Sequence, residues 1–311
     1  MNASVQSVPE RAVSARNLAN CPACGQAAAG GCVEIPDHEY ALAFLARYSE
    51  CADCGSLFQE PMPSLLQLAT FYPPDYHSMT HAGLLSSIRN RLRIARLRKL
   101  APKEGAILDY GCGDGAFLVE AARVFSGRPL WGYEIADRPE KKVLADGAVT
   151  IVKGALTDLL AQLPQCGLIT LNHVIEHLPD PEATVRALVD KLGSGAVFEG
   201  QTPAADSLER SVFGTRWSGY HAPRHTVVFS RAGLRRFLER CGLVAPVTQA
   251  AFNPAGLAVS LASLPHANGG RIRRSGFGWL IWLAIAGFLG PVDLLSGRPG
   301  VVNFCARKPA V

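Results

Sequence analysis

The chain has 311 residues, of which 48% are hydrophobic and 18% charged, and carries a net charge of +5. This balance excludes wholesale disorder and allows one large domain with a real core plus a smaller one. The charge is mild and the Lys and Arg residues crowd into one stretch, 89–103, so charge alone does not make a nucleic-acid binder; nine cysteines are odd in number and too sparse for a secreted disulfide scaffold.

Residues 1–20 are polar and small and read as a frayed tail. They contain no apolar h-region, so the expected location is cytoplasmic and reducing. Residues 21–83 form a cysteine-bearing N-terminal lobe. Residues 84–100 predict an amphipathic helix in which Leu85, Ile88, Leu92 and Ala95 supply the apolar stripe and the arginines the wet face. Pro102 ends it. Short apolar runs at 106–110, 130–133, 148–152, 168–171 and 196–199 then alternate with helical segments at 116–124, 138–145 and 181–192. This alternation predicts a parallel sheet with crossover helices, a doubly wound α/β fold over residues 84–252. Residues 203–225 read as a loop rich in Gly, aromatic and His residues, and 234–241 as a helix closed by Gly242. Residues 253–311 are a C-terminal extension: 276–292 carry no charge, and 301–308 read as a strand.

The strongest local signal is Ile107-Leu108-Asp109-Tyr110-Gly111-Cys112-Gly113-Asp114-Gly115. Apolar residues lead into glycines, and a helix follows. Glycines let the backbone turn sharply and approach a ligand, and the helix start supplies free N–H groups. Glu134 ends the second strand, where an acid can accept both hydroxyls of a ribose; the plain alternative is a solvated loop acid. A nicotinamide-type dinucleotide fingerprint fits less well, because the third glycine comes one residue early.

These motifs, with the later block Leu168-Ile-Thr-Leu-Asn-His-Val-Ile-Glu-His-Leu-Pro-Asp-Pro181, resemble the motif series of class I S-adenosylmethionine methyltransferases. The resemblance is firm over 104–200. It implies a Rossmann-like sheet and S-adenosylmethionine as cofactor, with Asp109, Gly111, Gly113 and Gly115 lining its amino-acid and ribose portions and Glu134 on the ribose. It places Gly154, Ala155 and Leu156 beside the adenine and Asn172 and His173 on the methionine side. Glu176 is expected at the cofactor edge or the substrate mouth, while His177 could cap, pack or act. The last strand pair is expected near 243–251 and 301–308.

Cys21-Pro-Ala-Cys24-Gly and Cys51-Ala-Asp-Cys54-Gly are two near-identical knuckles. Four thiolates suit tetrahedral zinc, and with all four positions filled the ion would be structural. The alternatives are unrelated buried thiols or a redox dithiol. A hairpin or insertion must fill the span between Cys24 and Cys51. Such a lobe ahead of a methyltransferase domain resembles bacterial deoxysugar C-methyltransferases and relatives from polysaccharide gene clusters. In those, a tyrosine after the second knuckle caps the cofactor pocket, and Tyr76 is the matching position.

The candidate catalytic loop is Trp217-Ser-Gly-Tyr220-His221-Ala-Pro-Arg224-His225, expected over the carboxyl edge of the sheet. His titrates near neutrality and suits deprotonation of either a hydroxyl or a carbon next to a ketone. The resemblance points to His225 as base, with His221 the alternative; Tyr220 or Arg224 would steady a developing oxyanion. The relatives carry an acid beside this His where the chain has Arg224, and an arginine there could instead bind a substrate phosphate or carboxylate. The bland alternative is a structural turn.

The expected function is methyl transfer to a small molecule, with a nucleotide- or lipid-linked sugar methylated on carbon as first reading and O-methylation of a lipid, quinone or natural-product hydroxyl second. An RNA or protein methyltransferase fits less well, because the knuckles lack interleaved aromatics; no nucleic-acid partner is expected. A catalytically dead scaffold conflicts with the intact glycine loop. The segment 276–292 reads three ways: a buried or dimer-contact helix, a peripheral membrane contact flanked by Arg271, Arg273 and Arg274, or a wall for a lipid-linked substrate. At 17 residues or fewer it is short for a span.

Overall fold

The computed structural model describes residues 19–27, 30–73, 76, 84–135, 149–265 and 271–310. The expected helix at 138–145 and residues 1–18 of the expected tail lie outside them.

Two sheets organise the described residues. The N-terminal lobe contains β1 (Cys32–Pro36), β2 (Leu45–Glu50) and β3 (Leu57–Gln59), followed by α1 (Leu65–Thr70). β1 and β2 pair antiparallel from Cys32↔Ser49 to Pro36↔Leu45. This hairpin fills the span between the two cysteine knuckles. Ser64 caps α1 with a full capping box, its side chain accepting from the Gln67 N–H while Gln67 accepts from the Ser64 N–H.

The core begins with α2 (Leu84–Leu100), β4 (Ala106–Tyr110), α3 (Ala116–Val124), β5 (Leu130–Glu134), β6 (Val149–Lys153), α4 (Leu156–Gln162) and β7 (Cys166–Asn172). It continues through α5 (Pro181–Asp190), β8 (Leu192–Pro203), α6 (Leu208–Phe213), β9 (Val227–Val228), α7 (Arg231–Arg240), β10 (Val244–Ala250), α8 (Pro254–Ser263), α9 (Gly276–Leu295) and β11 (Val301–Arg307). The seven-stranded sheet runs β10-β11-β8-β7-β4-β5-β6. β8, β7, β4, β5 and β6 are parallel, and β11 and β10 close the edge antiparallel. This is the expected doubly wound sheet, including the two closing strands. The switch point lies between β4 and β7, where open α/β sheets leave a crevice at their carboxyl ends.

The lobe is not closed within its own sequence. Its fourth strand is β9, from the chain between β8 and β10 of the core sheet, with Leu57↔Val228 and Phe58↔Val227 in register. Lobe and core therefore share a strand two residues past the catalytic-loop candidates, which fixes that loop against the lobe.

Three expectations are corrected. In α2 the buried residues are Ile94 and Leu97, both at 0% exposure, whereas Ile88 and Leu92 face solvent. The arginines are not all wet: Arg93 and Arg96 both pair with Glu199 of β8, a fully buried carboxylate, and Arg93 lies 4.8 Å from the Phe117 ring centroid. A buried charge must be paired, and that need rotates the helix away from its simplest apolar stripe. Second, 203–225 is not plain loop: it holds α6, capped by Ser207, and short 3-10 turns at Gly214–Arg216 and Ser218–Tyr220. Third, the helix built on the uncharged segment runs past it, through Asp293 to Leu295. α9 is a 20-residue helix running through Pro291, roughly 30 Å long, and long and apolar enough to cross a membrane. It is not a buried helix, since only 11% of its apolar window is buried.

Candidate active site

The glycine loop takes the shape its residues predict. Gly111, Gly113 and Gly115 have φ of 80°, 56° and 77°, a region costly for residues with a side chain. At Gly111 a Cβ would meet Val174 Cγ2 at 2.4 Å, and at Gly113 it would meet nothing within 4 Å. The N–H groups of Gly111 and Cys112 donate to the Tyr133 carbonyl at 2.8 and 2.9 Å, so β5 holds the loop. Gly115 is the N-cap of α3 and supplies no side-chain cap, and Gly113 leaves a cradle free of side chains of the described residues beside that helix start. These features fit an S-adenosylmethionine site.

The acids sit at the strand ends. Glu134 Oε2 accepts from the Gly113 N–H at 3.0 Å. Asp109 is buried and accepts from Thr170 Oγ1 at 2.7 Å; burial raises its carboxyl to about 6, against the opposing pull of Arg93. Tyr133 Oη donates to the Gly154 carbonyl at 2.7 Å, tying the β6 end to β5, and Ala155 caps α4, which Leu156 begins. Asn172 ends β7. His173 follows with φ of 50°, its Nδ1 3.2 Å from Glu176 Oε1 and its Nε2 2.8 Å from Gln201 Oε1. Glu176 is fully buried. Burial raises its carboxyl, but the His173 hydrogen bond and the neighbouring imidazoles hold it below the usual range.

The structure gathers three histidines, His177, His221 and His225, above this edge. His177 and His225 rings are 4.5 Å apart, His221 and His225 5.0 Å, and His177 and His221 6.0 Å. His225 Nδ1 faces the Gly219 carbonyl at 2.8 Å, and its Nε2 lies 4.0 Å from Glu176 Oε1. His177 Nδ1 lies 2.9 Å from Tyr72 Oη and 3.2 Å from the Arg224 carbonyl. Burial pushes His177 down to about 4 and His225 well below its ordinary value.

His221 has a different environment. Its Nδ1 is 2.5 Å from Glu39 Oε1 and its Nε2 3.1 Å from Tyr76 Oη. Glu39 lies in the turn after β1 and also pairs with Arg274, just before α9. That pair compensates the Glu39 charge. Burial, reinforced by Arg224, holds His221 down to about 3. A neutral imidazole donates through Nδ1–H to Glu39 and presents its Nε2 lone pair at the Tyr76 hydroxyl. The result is a carboxylate–imidazole–phenol chain assembled from the lobe, the loop and the segment after the second knuckle.

Two expected oxyanion-steadying groups are engaged elsewhere. Arg224 is fully buried. Its guanidinium donates to Asp37 Oδ2 at 2.5 Å, to the Phe71 carbonyl at 2.9 Å and to the Ala222 carbonyl at 3.0 Å, and lies 4.4 Å from the Tyr40 ring centroid. A substrate anion cannot reach it, which corrects the expectation that it binds one. Tyr220 packs against Trp217 and Tyr48, with its hydroxyl 3.3 Å from Arg210 Nε, in the lobe core and apart from the histidines.

Tyr48 Oη and Gln59 Nε2 donate to the His225 carbonyl, each at 2.7 Å, so the lobe sets the height of the loop. Sequence reasoning missed Asp37, Glu39 and Tyr72. The one local signal was the Pro-Asp-His-Glu-Tyr run, 36–40, dense in polar groups between two strands.

The four cysteines converge. Cys21 and Cys54 Sγ are 3.8 Å apart, and Cys24 and Cys51 Sγ 3.6 Å, pairing each knuckle with the other. A tetrahedron of thiolates at ~2.3 Å from zinc has an edge of about 3.8 Å. All four are buried. Gly25 and Gly55, with φ of 79° and 74°, each donate to the carbonyl of the first cysteine of their knuckle at 2.8 Å, giving two matching turns. The residues fit a zinc ion.

The family model described as "Methyltransferase domain" matches residues 85–246, just over half of the chain. The chain belongs to that family, and with this sheet and glycine loop it is a class I S-adenosylmethionine-dependent methyltransferase. It is 27% identical over 178 residues, 54% of this chain and 71% of the relative, to a ubiquinone biosynthesis O-methyltransferase of Bordetella avium. To the protein of that name from Nitrosospira multiformis it is 29% identical over 174 residues, 52% of this chain and 71% of the relative. Among solved structures it is similar to a SAM-dependent methyltransferase from Archaeoglobus fulgidus, with 19% identity, coverage of 70% of this chain and 94% of the other, and a TM-score of 0.45.

Proposed function

We propose that the chain methylates an oxygen of a small-molecule acceptor, with His221 as general base oriented by Glu39 and continued by Tyr76. The observation that carries this reading is the Glu39–His221–Tyr76 chain at 2.5 and 3.1 Å. An imidazole with one nitrogen held by a carboxylate keeps a lone pair on the other, here at the Tyr76 hydroxyl, that can take a proton, the arrangement general-base catalysis needs. S-adenosylmethionine would lie along the glycine loop, with its ribose at Glu134 and its sulfonium side toward Asn172 and His173. The acceptor hydroxyl gives its proton to His221, directly or through Tyr76, as its oxygen takes the methyl group and the sulfur keeps the bonding pair. His225, the base expected from the resemblance, presents its Nε2 to Glu176 instead and is the weaker candidate.

The names of the curated relatives favour oxygen over carbon. Carbon methylation of a nucleotide- or lipid-linked sugar has no counterpart among those names, though the same base would serve it. Cys21, Cys24, Cys51 and Cys54 hold a structural zinc in this reading, which fixes the lobe that delivers Glu39.

A membrane-borne acceptor is supported by α9. It exposes Phe277, Leu280, Phe288, Val292 and Leu295, and the segment before it sends Arg274 to Glu39. The helix thus joins an apolar surface to the base.

Methyl transfer from labelled S-adenosylmethionine into host extract tests the reading. An O-methylated product in the organic phase is expected. Label on carbon, or in the aqueous phase alone, overturns the oxygen or the membrane part respectively.

A further inference from the structure

We propose that Glu176, His177 and His225 form a divalent metal site, separate from the cysteine cluster, that binds an oxygen of the acceptor; its catalytic part rests on the function proposed above. One ligand atom from each residue lies within 4.8 Å of the others. Glu176 Oε1 and His225 Nε2 are 4.0 Å apart, and donors in cis positions on an ion of ~2.1 Å bond length are about 3 Å apart. Binding closes this gap by about an ångström.

Two further observations point to a ligand. Glu176 Oε2 is buried and has no hydrogen-bond partner among the described residues. An unpaired carboxylate oxygen in a protein interior is costly, and a cation resolves it. Both histidines are also anchored by their other nitrogen: His225 Nδ1 on the Gly219 carbonyl at 2.8 Å, His177 Nδ1 between the Tyr72 hydroxyl at 2.9 Å and the Arg224 carbonyl at 3.2 Å. That is the support metal-binding histidines normally have, and it turns each Nε2 outward as a lone pair. His173 Nδ1 holds Glu176 Oε1 at 3.2 Å, orienting the carboxylate.

Two imidazoles and one carboxylate suit Zn²⁺, Mn²⁺, Fe²⁺ or Co²⁺ rather than the all-oxygen preference of Mg²⁺ or Ca²⁺. Three protein ligands leave positions open, as in catalytic rather than structural sites. His221 lies beside both histidine ligands, with ring centroids 5.0 and 6.0 Å away. An acceptor hydroxyl on the ion therefore sits next to the base, and the metal acts as a Lewis acid that acidifies it before His221 takes the proton.

The test is a Co²⁺ titration of full-length protein prepared with one zinc per chain, followed by its visible spectrum and by metal content per chain. Binding is read without turnover, so its failure is distinct from failure of the methyl-transfer reading. The expected result is a further Co²⁺ ion per chain without thiolate charge-transfer bands. Glu176→Gln and His225→Gln should each weaken that binding at least tenfold while keeping the zinc, which reports an intact lobe. Wild-type protein that takes up no further ion, or variants that bind it as tightly, overturns the proposal.

Discussion

Arg224 is a cation with no exposed surface, and Asp37 is its buried counter-charge. Removing one partner of such a pair strands the other in a low-dielectric interior. Arg224→Ala should therefore cost about 3–5 kcal/mol of unfolding free energy, measured by chemical denaturation; a loss below about 1 kcal/mol would refute the buried-pair account. The residue also shows the limit of reading a loop by itself. The density of His221, Arg224 and His225 marked the loop as chemical. What each group does depended on partners far off in the chain: Glu39 is 182 residues from His221 and Asp37 187 from Arg224. No local spacing carries that information. Gly111, Gly113 and Gly115 were legible because their strand, turn and helix are contiguous, and the cysteines because each knuckle is a complete turn of five residues.

Among elements, α2 shows why periodicity alone chose the wrong face. The helix offers two apolar spacings, Ile88–Leu92 and Ile94–Leu97. Packing against α3 and pairing of Arg93 and Arg96 with Glu199 select the second. Glu199 sits in β8, and its need for a cation is invisible within the helix. α9 presents the opposite case: its composition announced an apolar segment, but the surface it covers depends on α8. Leu257, Ala258 and Ala286 pack with Trp279, Trp282 and Leu283, which consumes one face and leaves Phe277 and Phe288 outward at 79% and 84% exposure. With exposed Arg271 and Arg273 at its start, the helix should bind vesicles containing anionic lipid, more weakly at high salt. Flotation is the measurement. Wild-type protein should float with the vesicles and Phe277→Asp/Phe288→Asp should remain below; wild-type protein that stays below at low salt contradicts the membrane reading.

At the scale of the whole molecule, the site is a joint product of lobe, core and extension. The core sheet places the glycine loop, Glu134 and the Asn172–His177 turn at one edge. The lobe adds Glu39, Tyr72 and Tyr76, and shares β9 with the loop that carries His221 and His225. The extension reaches back through Arg274 to Glu39. This division explains why a family match over 85–246 captures the methyl-donor half of the enzyme and leaves out Glu39, Tyr72, Tyr76 and Arg274. The most direct test of the account is methyl transfer by wild-type, His221→Ala and Glu39→Gln proteins, with S-adenosylmethionine binding measured in parallel. The account predicts that His221→Ala loses about 10²–10⁴-fold in turnover, that Glu39→Gln loses less, and that both bind S-adenosylmethionine as wild type does. Full turnover by His221→Ala would contradict it.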